Sequence, residues 1–176
     1  MHIYFLRHGD ASSHARYEER ERPLTDLGVR QATLVGTFLQ QMNIMIDGAL
    51  SSPLRRAQET ASIALSGNRT QEVVLTEFLL NGSDPQQLYD QLDELQAPSV
   101  LVVGHEPLLS EMISRLIGSK GSAEIEMRKC SLALVDSASP IRQGAGILKF
   151  LIPVDTLIWT SQEKTRITDG TQNSKN

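Results

Sequence analysis

The first ten residues, MHIYFLRHGD (Met1 to Asp10), place a short apolar run, Ile3 to Leu6, directly before Arg7, His8 and Gly9. A run that short, ended by charge and glycine, reads as a strand buried on both faces. The pattern returns at SVLVVGHEP (Ser99 to Pro107). There a strand is followed by Gly104 and His105, then by a helix carrying Leu108, Leu109, Met112, Ile113, Leu116 and Ile117. Between the two lie further strand and helix signals. Thr25 is a preferred N-cap, and Ala32, Val35, Phe38, Leu39 and Met42 follow at helical spacing over about four turns. DGALSS (Asp47 to Ser52) reads as a second strand, with Ser52 capping a helix that has Pro53 at its first position. EVVLTEFL (Glu72 to Leu79) reads as a third strand, and Asp84 with Pro85 starts another helix. Strands alternating with helices predict a three-layer αβα sandwich, with a mostly parallel central sheet and helices on both faces.

Beyond the last of these helices, SLALVD (Ser131 to Asp136) and GILKFLIPV (Gly146 to Val154) read as a C-terminal β-hairpin added to that sheet. Residues 1–159 are expected to form a single domain, with Trp159 packing the tail onto it, and residues 160–176 a polar, frayed tail. At 176 residues and 40% hydrophobic content, two domains would be cramped. A formal net charge of −4 gives no global reason to expect nucleic acid or an acidic membrane as partner. The apolar runs fall far short of the ~20 residues that span a bilayer. One cysteine, Cys130, cannot form an internal disulfide, and the N-terminus carries no leader pattern, so a reducing cytosol is the expected location.

Ligands of open α/β sheets bind where strands end and helices begin. Three such junctions carry unusual polar residues: Arg7, His8 and Gly9; Arg55 and Arg56; and Gly104, His105 and Glu106. Parallel strands put all three on one edge. Guanidinium groups stay charged and match phosphoryl oxygens bidentately, and helix N-termini behind Ser52 and His105 add positive dipole ends. A histidine with an ordinary pKa near ~6.5 is largely neutral at pH 7 and can attack phosphorus. No metal or other cofactor is expected, because the arginines can supply the charge stabilisation.

LRHGD (Leu6 to Asp10), RPLTDLG (Arg22 to Gly28), SSPLRRAQETA (Ser51 to Ala61) and VVGHEP (Val102 to Pro107) resemble, in order, the motifs of the histidine phosphatase superfamily, the phosphoglycerate mutase-like fold. The likeness runs from Met1 to about Ile117. The short chain, RHGD in place of RHGE or RHGQ, and the compact stretch before VVGHEP resemble the SixA-type phosphohistidine phosphatases within it. The resemblance implies that His8 is the nucleophile that becomes transiently phosphorylated. It makes Arg7 and Arg56 its phosphate ligands, Arg56 because it precedes Ala57 in the S-P-x-x-R-A pattern, and His105 the second histidine. From geometry, the Gly9 carbonyl is placed to hold the other ring nitrogen of His8 in the attacking tautomer.

Other residues carry two readings. Arg22 matches a further phosphate ligand, but it also belongs to the charge run SSHARYEERERP (Ser12 to Pro23), which reads equally as a solvated face. Glu77 is the position for a general acid, yet the LLNGSDP that follows departs from the mutase pattern, so it reads equally as a strand-end carboxylate. Arg55 reads as a surface residue, and Cys130, His2 and His14 as incidental. Imidazole is a far better leaving group than alkoxide, so weak acid catalysis favours phosphohistidine on a signalling or carrier protein as substrate. The alternatives are a small-molecule phosphomonoesterase of the same superfamily and a non-catalytic phosphoprotein-binding module.

Overall fold

The computed structural model describes residues 1–70, 72–118 and 123–157; Trp159 and the stretch 160–176 lie outside them. Six strands form one sheet: β1 (His2–Arg7), β2 (Gly48–Ser51), β3 (Val74–Leu75), β4 (Ser99–Gly104), β5 (Leu132–Ser137) and β6 (Gly146–Ile152). Their spatial order is β3-β2-β4-β1-β5-β6. β1, β2, β3 and β4 pair in parallel, whereas β5 runs antiparallel to β1 and pairs with β6 as the expected hairpin. Four helices accompany them: α1 (Asp26–Gln41), α2 (Arg55–Ala64), α3 (Pro85–Glu94) and α4 (Leu108–Ile117).

The continuous apolar runs of the central strands are explained by cover on both sides. Ile3, Phe5, Val100 and Val102 pack with Leu88, Leu92, Leu109 and Met112 of α3 and α4. Tyr4, Leu6, Leu101 and Val103, one residue out of phase, pack with Ala32, Val35, Ala57 and Ala61 of α1 and α2. Successive side chains of a strand point to opposite faces, so a two-faced core demands an apolar residue at every position. Each fully buried Leu, Val or Phe contributes about 1.5–3 kcal/mol.

Thr25 caps α1 by accepting the Gly28 N–H, and Asp84 caps α3 by accepting that of Gln86, as the sequence predicts. Two expectations need correction. The third strand is only Val74–Leu75. The Thr76 hydroxyl accepts the N–H of Phe78 and turns the chain into a 3-10 helix, Glu77–Leu79, so Glu77 is not on a strand. Helix α2 starts at Arg55, behind Leu54 and without a side-chain cap; the Ser52 hydroxyl reaches only the Leu54 N–H (3.3 Å) and a histidine described below.

The first turn of α1 is stapled to the chain leaving β1. Asp10 accepts the Thr25 hydroxyl (2.7 Å) on its carboxylate and the Thr25 N–H (3.0 Å) on its carbonyl. The approach is so close that a Cβ on Gly28 would stand 2.0 Å from the Asp10 carbonyl oxygen. Gly28→Ala is therefore expected to destabilise the fold by at least the ~1–3 kcal/mol typical of overpacking, read as the urea midpoint. A variant as stable as the parent would contradict this packing.

Candidate active site

The C-terminal ends of β1, β4 and β2 lie side by side, with Arg7 opposite Gly104 and Ser51 opposite Val103. The ladder continues one step past the strands. His8 donates its N–H to the Gly104 carbonyl (3.1 Å) and Ser52 to that of Val103 (2.9 Å). This brings the polar residues at the three junctions onto one edge, as parallel pairing requires.

His8 and His105 are buried with ring centroids 4.9 Å apart. Nδ1 of His8 lies 2.7 Å from the Gly9 carbonyl oxygen. That oxygen can only accept, so Nδ1 carries the proton and Nε2 presents a lone pair. Nε2 in turn accepts from Nε of Arg56 at 3.3 Å. Nε2 of His105 lies 2.7 Å from the Ser52 hydroxyl, which itself accepts the Leu54 N–H (3.3 Å). Ser52 can donate to Nε2 or accept from it, and Nδ1 of His105 is buried without a partner among the described residues.

Burial is the main reason that both rings are held uncharged. His8 is lowered to about 2, with Lys129 and His105 adding to the effect of burial, and His105 to about 3, with Arg56 adding. Their backbone support comes from side chains distant in sequence. Thr60 on α2 accepts the Gly9 N–H (3.1 Å) and donates to the Arg56 carbonyl (2.7 Å). A Cβ on Gly9 would meet the Gly28 carbonyl oxygen at 2.8 Å, so glycine is required where loop and helix touch.

Arg7 donates from a terminal nitrogen to the Met127 carbonyl (2.7 Å), while its Nε is buried and unpartnered among the described residues. Arg56 is buried; its two terminal nitrogens donate to the carbonyl (2.9 Å) and carboxylate (2.6 Å) of Glu19. Arg22 joins the same cluster, giving Nε to the Ser12 carbonyl (2.7 Å) and a terminal nitrogen to Glu19 (3.0 Å) and His14 (2.9 Å). Arg22 is thus neither a solvated member of a charge run nor in contact with the two histidines. Desolvation raises the Glu19 carboxyl, but Arg22 and Arg56 outweigh it and hold the group below its ordinary value.

Arg55 pairs with Glu59 (2.7 Å) on the surface, as expected. Glu77 is exposed and its carboxylate pairs with Arg20 (3.3 Å). Burial pushes the Cys130 thiol up to about 12. Glu19, Ser52, Thr60 and His14 are the members of this constellation that sequence reading passes over. Among the described residues there is no group of three or more His, Cys, Asp or Glu that could hold a metal ion, and no helix long and apolar enough to cross a membrane.

Two buried, uncharged imidazoles among arginines at the carboxyl edge of a parallel sheet define a phosphoryl-transfer class of site. Residues 3–80 match the histidine phosphatase superfamily (branch 1). The phosphohistidine phosphatase SixA homolog of Haemophilus influenzae is 31% identical over 131 residues, covering 68% of this chain and 79% of that one. The chain belongs to the histidine phosphatase superfamily, and within it to the SixA type. The structure of the protein histidine phosphatase SixA complexed with tungstate superposes with a TM-score of 0.79 at 24% identity, covering 89% of this chain and 99% of that chain. The alpha-ribazole phosphatase of Shigella flexneri shares the fold at a TM-score of 0.67 and 20% identity, over 88% and 97% of the two chains.

The depressed histidines make stability depend on pH with a definite sign. Below about 6.5 an unfolded imidazole takes up a proton that the folded ring refuses, so the fold loses stability as pH falls from about 6.5 toward 3. The loss approaches ~1.4 kcal/mol per pH unit for each ring. Urea unfolding from pH 7.5 to 5 is expected to decline less steeply in His8→Asn and in His105→Asn than in the parent. Equal slopes in all three proteins would contradict the burial of neutral rings.

Proposed function

We propose that the protein hydrolyses phosphohistidine on a partner protein, through a covalent phosphoenzyme on His8. The observation that carries this reading is the double constraint on the His8 ring: Nδ1–H is tied to the Gly9 carbonyl, and Nε2 is left unprotonated toward Arg56. A neutral imidazole with its lone pair aimed into a basic pocket is a nucleophile that needs no base to activate it. The lone pair of Nε2 attacks phosphorus as the substrate P–N bond breaks, and the departing imidazole nitrogen takes up a proton from water. Water then attacks the phosphorus on His8, releases phosphate and restores the neutral ring.

The buried, unpartnered Nε–H of Arg7 and, in the tautomer that carries its proton on Nδ1, the buried and unpartnered Nδ1–H of His105 supply hydrogen bonds to phosphoryl oxygens. Arg56 adds its charge beside Nε2. The phosphoryl group competes with the Glu19 carboxylate for the terminal nitrogens of Arg56, and the half-exposed position of Glu19 leaves it free to yield. Arg22 contributes at one remove, by holding Glu19. The unpaired thiol chemistry of Cys130 accords with a cytosolic location.

Substrate class follows from Glu77. A general acid contributes about 10²–10⁴-fold when the leaving group is an alkoxide. Here the candidate acid is exposed and tied to Arg20. That favours an imidazole leaving group over a sugar or serine oxygen. The SixA-type relatives named above point to the same substrate.

Phosphate release by the purified protein from a phosphohistidine carrier protein is expected to exceed release from phosphoserine and 3-phosphoglycerate, and to vanish in His8→Ala. Activity retained in His8→Ala would exclude the covalent route, and faster release from the esters would move the protein to the small-molecule phosphatases. Glu77→Gln is expected to leave phosphohistidine turnover within about threefold of the parent. A fall of the size associated with general acid catalysis would restore Glu77 as the acid.

A further inference from the structure

Lys129 stands beside the pocket on a segment that is pinned to it from both sides. Before it, the Met127 carbonyl accepts from Arg7 (2.7 Å). After it, Cys130 adopts a left-handed backbone (φ 52°) and shares its N–H between the carbonyls of Arg7 (3.1 Å) and His8 (3.3 Å). A turn closed by the Ser131 N–H on the Arg128 carbonyl (2.9 Å) encloses Lys129 and Cys130. The lysine therefore has no freedom to swing away with its backbone, and its side chain is half-buried.

Each arginine of the cluster has an oxygen partner: Met127 for Arg7, Ser12 and Glu19 for Arg22, and Glu19 for Arg56. Among the described residues Lys129 has no hydrogen bond and no ion pair. Yet it lies in electrostatic reach of His8 and His105, both of which it pushes down. Burial first, and then Arg7, Arg56 and Arg22, hold its own ammonium below the ordinary lysine value. Asp10 is the acid that opposes them, and its carboxylate is engaged by the Thr25 hydroxyl. A half-desolvated cation set among cations is unfavourable unless an anion joins it.

We infer that Lys129 is a further phosphate-binding residue, whose ammonium contacts an oxygen of the transferred phosphoryl group. Like the Nε–H of Arg7, its ammonium has no hydrogen-bond partner among the described residues. The inference rests on reading the pocket as a phosphoryl-transfer site, and the test separates the two.

The probe is inorganic phosphate, titrated calorimetrically into the full-length protein, with thermal midpoints as a check on folding. Lys129→Met is expected to weaken phosphate about 10- to 100-fold, the range for loss of a charge-assisted hydrogen bond. Lys129→Arg, which keeps the charge, is expected to recover most of that loss. kcat/KM is expected to fall comparably on a small phosphoramidate and on a phosphohistidine protein. If Lys129→Met lowers the midpoint, Lys129→Gln is read in its place. Unchanged phosphate affinity in the neutral variants would overturn the inference while leaving the site intact. So would a loss confined to the protein substrate, which would make Lys129 a docking residue. A parent protein that binds no phosphate would overturn the reading of the pocket itself.

Discussion

Two imidazoles are buried with ring centres 4.9 Å apart at the carboxyl edge of the parallel strands, and burial keeps both uncharged. Much of the surrounding structure answers to that constraint. His8 spends its one proton on the Gly9 carbonyl, and His105 sets Nε2 against the Ser52 hydroxyl, while Nδ1 of His105 has no partner among the described residues. The choice of partner decides which nitrogen faces the pocket. In His8 the Gly9 carbonyl fixes the proton on Nδ1, which leaves the Nε2 lone pair beside Arg56.

The same economy explains the tightness of the backbone around the site. The loop leaving β1 is held by three elements at once: Gly104 of β4 takes the His8 N–H, Thr60 of α2 takes that of Gly9, and Thr25 at the start of α1 grips Asp10. Gly28 and Gly9 are there because carbonyl oxygens occupy the space a Cβ would need. Arg56 and Lys129 add positive charge that, with burial, disfavours protonation of both rings.

Most of the fold was legible in the chain because its determinants are local. Ile3 to Leu6 and Val100 to Val103 are apolar at every position, and only a sheet covered on both faces asks for that. Thr25 and Asp84 announce their helices by their caps. The Gly9 carbonyl bond to His8 was legible for the same reason, since the partners are adjacent in sequence. What was missed depends on partners far apart. Ser52 looks like a helix cap until His105, 53 residues away, claims its hydroxyl. Glu19 looks like one charge among many until Arg56 folds against it, and Lys129 lies in a stretch with no motif, placed by the bonds of Cys130 to β1. The strand expected over Glu72 to Leu79 failed at Thr76, where a side-chain bond to the next turn outweighs β propensity.

His8 is preset, before any substrate arrives, as a neutral ring with its proton on Nδ1 and its lone pair on Nε2. Long-range proton–nitrogen correlation spectra of the uniformly ¹⁵N-labelled protein at pH 7, assigned by comparison with His8→Asn, read the protonation of each ring nitrogen directly. A protonated-type Nδ1 and an unprotonated-type Nε2 are expected for His8, both unchanged on lowering the pH to 5. A proton on Nε2, or shifts that move toward imidazolium over that interval, would contradict this assignment.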